Sequence, residues 1–173
     1  PLNGKIKLSE FEIEFITLTH SILEPNGLSI KTPAGIILHT GDWKCDPNPL
    51  IGEKVDEKKL KEIGNQNVLA MICDSTNVFN EGRAGSESDV RDSLLDIIAK
   101  QKKKIVVTTF ASNVARMETI FYCAKKTNRQ ISLVGRSMNR IYKAARQCGY
   151  LQNLIEPVDP RDAKKIAREK IIY

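Results

Sequence analysis

THSILEPNGLSIKTPAGIILHTGDWK, residues 19–44, is the stretch from which the fold is read outward. It is entered from an apolar-rich strand pattern (Ile13, Phe15, Ile16, Leu18) that runs out at His20. Inside it, Leu28–Thr32 and Ile36–Thr40 are two more strand patterns, separated by Pro33-Ala34-Gly35. That tripeptide reads as a tight turn, so the two strands are expected to pair as a hairpin. Asp42 follows the second strand. His20 and Asp42 therefore each stand where a strand passes into a loop, where a rigid element fixes the direction of a side chain. An imidazole nitrogen and a carboxylate oxygen both suit Zn²⁺ or Mn²⁺. Two ligands are fewer than the three a catalytic metal normally takes from protein. From composition and spacing alone, a hydrogen-bonded histidine and a turn-forming Gly41-Asp42 remain the plainer reading.

Outward from this stretch the chain changes period. Residues 11–19 begin by alternating apolar and acidic side chains, the mark of a half-buried strand. Asp46-Pro47-Asn48-Pro49 is a loop, because two prolines forbid regular structure. Asp56 to Gly64 reads as a short helix capped by Asp56, with Leu60 and Ile63 inward. Val68–Cys73 is a continuous apolar run, expected as a buried strand that delivers Asp74 to its end. His39 is expected as a packed core histidine. After a loop over 77–85, Ser86 is placed as the cap of a helix whose inner side is Val90, Leu94, Ile97 and Ile98. Strands are then expected at Ile105–Thr109 and Ile131–Val134. A helix starting near Ser112 shows Val114, Met117, Phe121 and Ala124 at helical spacing, and another, capped by Ser137, shows Met138, Ile141, Ala145 and Cys148. Asp159-Pro160 opens a last short helix, and Ile171–Tyr173 reads as a strand. Strand alternating with helix implies parallel strands, so the fold class is α/β.

Composition narrows the function. The chain has 173 residues and a formal net charge of +6. Residues 1–80 carry 8 lysines, no arginine and 11 acidic residues, net −3; residues 81–173 carry 19 basic and 10 acidic residues, net +9. A boundary is drawn near residue 80, between an acidic half suited to metal ligands and a basic half suited to a polyanion. No apolar run approaches the ~20 residues that span a bilayer. The four cysteines (Cys45, Cys73, Cys123, Cys148) form no C-x-x-C pair, and the last three lie in apolar or helical contexts. They read as buried free thiols of a reducing cytoplasm.

Three further places carry chemistry. Asp74-Ser75-Thr76-Asn77 follows a strand and reads equally as an Asx-turn or as a functional aspartate. Thr109–Asn113 and Gly135–Ser137 each lie between a parallel strand and the start of a helix, where backbone N–H groups and the helix dipole favour an anion. Ser112, Asn113 and Arg136 are placed there as candidates for holding phosphates, against plain hydroxyl capping and a surface arginine. Arg136, Arg140 and Lys143 recur at helical spacing as a basic stripe; removing two of these charges is expected to weaken nucleic-acid binding and flatten its salt dependence.

Taken together, Thr19-His20-Ser21, Glu24-Pro25-Asn26, His39-Thr40-Gly41-Asp42-Trp43-Lys44, Asp74-Ser75-Thr76-Asn77, Thr109-Phe110-Ala111-Ser112-Asn113 and Gly135-Arg136-Ser137-Met138 resemble the metallo-β-lactamase superfamily. Within it the wording is most similar to the β-CASP nucleases of the ribonuclease J family. The resemblance runs over nearly the whole chain. It implies part of a metallo-β-lactamase αββα core over residues 1–80 and part of a β-CASP parallel α/β unit over residues 81–173. It makes His20 and Asp42 metal ligands, Asp42 bridging two divalent ions (Zn²⁺ or Mn²⁺), and puts Asp74 beside that centre, orienting a ligand histidine or handling a proton. The implied substrate is single-stranded RNA with a 5′-monophosphate, cut by 5′-to-3′ exonuclease and endonuclease action in RNA processing and decay. The implied setting is a cytoplasmic homo-oligomer with no membrane partner.

The family's His-x-His-x-Asp-His motif and its later histidine motifs do not occur, since His20 and His39 are the only histidines. The expectation is an internal section of a longer enzyme that, alone, binds metal weakly or not at all and does not cut RNA. The competing readings are a non-catalytic RNA-binding α/β module and another hydrolase of the superfamily acting on DNA or a small molecule.

Overall fold

The computed structural model describes residues 3–173, and in it the alternating pattern of the first part of the chain forms a five-stranded sheet. Its strands are β1 (Lys5–Leu8), β2 (Phe11–Thr17), β3 (Asn26–Thr32), β4 (Gly35–His39) and, after helix α1 (Glu57–Gly64), β5 (Val68–Ile72). The spatial order is β1-β2-β3-β4-β5, with three antiparallel pairings and a parallel β4–β5 pair. The expected hairpin is present, with Thr32 opposite Gly35 and Leu28 opposite His39. The Thr32 hydroxyl accepts the N–H groups of Ala34 and Gly35 at 3.2 Å and so fixes the turn. Gly27 is needed for close approach, since a Cβ there would lie 3.0 Å from Leu18 Cδ1 and 3.2 Å from the His39 carbonyl oxygen.

Ile16 and Leu18 on β2 and just beyond it share a face with Ile36 on β4, and Ile63 of α1 completes this core with Leu60, Leu38 and Trp43 against it. Asp56 caps α1 as expected, its carboxylate accepting the Lys59 N–H at 2.9 Å. Further out on the same face of β2, Glu14 pairs with Lys59 of α1 at 2.7 Å. β1 was not anticipated; its four residues are all exposed and offer no burial pattern to read.

Two expectations for this region are corrected. Val68–Ile72 is a strand, but an exposed one, with Leu69 at 64%, Met71 at 60% and Ile72 at 55%. β5 lies at the sheet's edge, and α1 covers the core built on β2 and β4, so an apolar run alone does not bury it. His39 is half-buried, not packed in the core, and its Nδ1 accepts the Gly41 N–H at 3.0 Å.

The described residues divide into two compact units. The first takes the residues up to His20 with Glu24–Ser86, and the second takes Ser21–Leu23 with Glu87–Tyr173. The first continues to Ser86 because Lys44 Nζ donates to the Gly85 carbonyl and the Ser86 hydroxyl donates to the Asn48 carbonyl at 2.8 Å.

The second unit holds α2 (Glu87–Ala99), α3 (Val114–Lys126), β6 (Gln130–Ile131), α4 (Arg136–Gln147), α5 (Pro160–Ala163) and β7 (Ile171–Ile172). β6 and β7 are parallel, and Ile105 makes a parallel bridge to Ile172 on β7, as strand–helix alternation requires. The inward positions of α3 hold: Val114, Met117, Phe121 and Ala124 are all buried. Tyr142 of α4 stacks on Phe121 with ring centroids 5.6 Å apart. Asp159 caps α5 and Pro160 opens it.

The strands here are shorter than expected. Ile105–Thr109 contributes one bridge, and of Ile131–Val134 only Ile131 is in a strand. Both pair with β7 at Ile172. Gly135, with φ +102°, takes the N-cap position of α4, which places Ser137 inside the first turn. On α2 only Ile98 of the four expected inward residues is fully buried, and Ile97 is exposed. All four cysteines are free, yet only Cys123 is buried; Cys148 is exposed at the end of α4 and Cys73 is intermediate.

Candidate functional site

Strand direction gathers the first set of candidates. β2 and β4 are each antiparallel to β3, so they run the same way, and β5 is parallel to β4. The C-terminal ends of β2, β4 and β5 thus meet one edge of the sheet. His20 follows β2, Asp42 follows β4 and Asp74 follows β5. Hydrogen bonds then tie the three exits together. Thr40 N–H donates to the Ile72 carbonyl at 3.0 Å, and Lys44 N–H donates to the Thr19 carbonyl at 2.8 Å. Thr19 and Lys44 form an isolated antiparallel bridge. Gly41, at φ +59°, supplies the left-handed backbone that turns the chain between Thr40 and Asp42.

Asp74 is held within its own turn. Its Oδ1 accepts the Thr76 N–H at 2.9 Å and the Thr76 hydroxyl, which makes the Asx-turn. Those two bonds, with the Trp43 N–H and the nearby His20, hold its carboxyl below the usual aspartate range. Asp74 is therefore a turn residue and a neighbour of His20 at once. Asp42 is exposed and His20 half-buried. Imidazole nitrogen and carboxylate oxygen are the right donor types for Zn²⁺ or Mn²⁺. Among the described residues, however, no group of three or more His, Cys, Asp and Glu side chains is arranged to hold a metal ion.

The second set lies in the other unit. Arg136, Arg140 and Lys143 are all exposed on α4, at spacings that put them on one helical face. Among the described residues none of the three makes an ion pair, whereas Arg91 pairs with Glu118, Arg116 with Glu87 and Arg146 with Glu156. Ser112 is exposed; Asn113 is buried and caps α3, its Oδ1 accepting the Arg116 N–H at 2.9 Å. In the first set, sequence reasoning missed two residues, Thr19 and Thr40, buried at 4% and 3% exposure among the strand ends. The signal for them was a threonine closing an apolar strand just before a candidate ligand loop.

Residues 102–173 match the family described as ribonuclease J, β-CASP domain. The chain is 38% identical over 168 residues to ribonuclease J of Sinorhizobium meliloti, covering 97% of this chain and 30% of that protein. The chain is related to ribonuclease J. Ribonuclease J of Corynebacterium glutamicum is 39% identical over 165 residues (94% and 23%), and that of Thermus thermophilus 36% over 142 residues (82% and 25%). The chain thus spans between 23% and 30% of the length of these curated relatives. In fold it is similar to a protein of unknown function from Enterococcus faecalis V583, with a TM-score of 0.66 at 16% identity over 99% of this chain and 43% of that one. Among the described residues no helix is long and apolar enough to cross a membrane.

Proposed function

We propose that this chain is a section of a metal-dependent ribonuclease of the ribonuclease J type, with its first unit part of a metallo-β-lactamase core. The observation that carries the reading is the convergence of His20, Asp42 and Asp74 at the common end of β2, β4 and β5. His20 and Asp42 would hold divalent ions there together with donors from elsewhere in the longer enzyme. Zinc or manganese so bound supplies a Lewis acid for a phosphate oxygen and lowers the pKa of water. Asp74, kept ionised by Thr76, would orient the His20 imidazole as an acceptor or handle a proton at the site. The exposed apolar face of β5 fits a strand that the rest of such an enzyme covers.

RNA is held by the second unit. Arg136, Arg140 and Lys143 are cations with no competing carboxylate among the described residues, and each phosphate they neutralise releases counterions. Ser112 and the Asn113 amide add donors at the start of α3. The free cysteines support a cytoplasmic setting, and a single-stranded 5′-monophosphorylated RNA is the substrate the reading names, with self-association of the whole enzyme.

In the longest natural polypeptide that contains this chain, His20→Ala and Asp42→Ala are each expected to abolish Mn²⁺- or Zn²⁺-dependent cleavage of single-stranded RNA. The 173-residue chain alone is expected to retain no stoichiometric metal after dialysis. Full cleavage by either variant would refute the assignment, and cleavage of matched single-stranded DNA in preference to RNA would move it to a DNA-processing enzyme.

A further inference from the structure

We propose that Thr19 and Thr40 are positioning residues that form a clasp setting His20, Asp42 and Asp74 relative to one another. The inference rests on the ribonuclease reading above for its catalytic consequence, but the clasp itself is a matter of geometry.

The two threonines are used in the same way. The Thr40 hydroxyl donates to the Gly41 carbonyl at 2.7 Å and accepts the Asp74 N–H at 3.1 Å. The Thr19 hydroxyl donates to the Lys44 carbonyl and accepts the Asp46 N–H at 2.9 Å. Each therefore spends one donor and one acceptor on backbone belonging to candidate loops, and each is nearly excluded from water. Asp42 sits in the middle of the loop from Thr40 to Lys44. That loop is pinned at its first residue to the exit of β5 and at its last to Thr19. Thr19 is the immediate neighbour of His20, and the N–H that Thr40 accepts is that of Asp74. Two hydroxyls thus link the loops that carry all three candidate residues. A buried polar group holds such an arrangement because the alternative is an unsatisfied N–H.

The test uses Thr19→Val, Thr40→Val and the matching serine variants in the longest natural polypeptide containing this chain. Valine keeps the branched shape and removes the hydroxyl; serine keeps the hydroxyl. Amide hydrogen exchange over residues 40–46 and 73–76 is expected to speed up about tenfold or more in the Thr40→Val protein and to return near the parent rate in Thr40→Ser. On single-stranded RNA, kcat is expected to fall about tenfold or more with KM within about twofold, again restored by serine. Unchanged exchange in the valine variants overturns the clasp. Faster exchange with unchanged kcat, while His20→Ala abolishes cleavage, overturns its catalytic role and leaves the ribonuclease reading standing. Cleavage that survives His20→Ala overturns that reading instead, and exchange alone then decides the clasp. Should Thr40→Val not fold, Thr19→Val carries the same measurements over residues 19–20 and 44–46.

Discussion

His20, Asp42 and Asp74 leave their strands into loops tied by the buried hydroxyls of Thr19 and Thr40, whereas Arg136, Arg140 and Lys143 stand exposed on α4 with no ion pair among the described residues. On the proposed reading the two regions solve different physical problems. Metal donors must sit within a fraction of an ångström of a fixed point, which short side chains at strand ends suit. Cations that follow a flexible polyanion gain from long side chains that keep their freedom until the phosphate arrives. The difference is one of constraint, and substitutions can separate the two.

The largest effect on stability is expected inside the second unit, at an arginine that differs from the stripe in being paired. Arg116 donates two hydrogen bonds of 3.1 Å to the Glu87 carboxylate, whose residue is 7% exposed. Arg116→Ala leaves that carboxylate short of its partner and is expected to cost about 3 kcal/mol in denaturant unfolding. Thr40→Val comes next at about 2 kcal/mol, because it strips the acceptor from the Asp74 N–H. If this change proved neutral, the first unit's loops would be no better constrained than α4.

Smaller still is the stability effect of replacing Arg136 and Arg140 together by glutamine, expected within about 0.5 kcal/mol. The same double change should lower the log–log salt slope of RNA binding by about 0.7 for each phosphate that is no longer neutralised. An unaltered slope would remove α4 from the binding surface.

The least effect is expected from pH. The Arg161 side chain and N–H hold the Asp159 carboxyl down to about 2, and Asp74 is also held below its usual value. A depressed pKa contributes stability that is fully present above the unfolded value near 3.8 and is lost as pH falls through the folded value. Asp159→Asn should therefore shallow the loss of stability between about pH 4 and pH 2 and leave neutral pH nearly untouched. Carboxyl titration by NMR checks the direction for both residues.

Much of this contrast could be read from the residues alone. The Pro33-Ala34-Gly35 turn fixes the hairpin register, and the spacing of Val114, Met117, Phe121 and Ala124 fixes which side of α3 is buried. Placing His20, Asp42 and Asp74 after strands was enough to bring them to one edge once β2, β4 and β5 proved to share a direction. What was illegible depends on neighbours. The apolar run of β5 says strand but not which faces are covered. Ile105–Thr109 has strand residues, but its bridge is made by Ile105 to Ile172, a partner far along the chain. Ser137 looks like a cap, yet the positive φ of Gly135 starts the helix earlier. The Thr19 hydroxyl meets backbone 25 and 27 residues away and the Thr40 hydroxyl meets the Asp74 N–H 34 residues away, distances that no local pattern reports.

The division of labour itself is tested most directly by steady-state cleavage of single-stranded RNA by the longest natural polypeptide containing this chain, comparing Asp42→Asn with the Arg136→Gln/Arg140→Gln double variant. The account predicts that Asp42→Asn lowers kcat with little change in KM, and that the double variant raises KM with little change in kcat. If both act on the same parameter, chemistry and binding are not divided between the strand-end loops and α4, and the account is wrong.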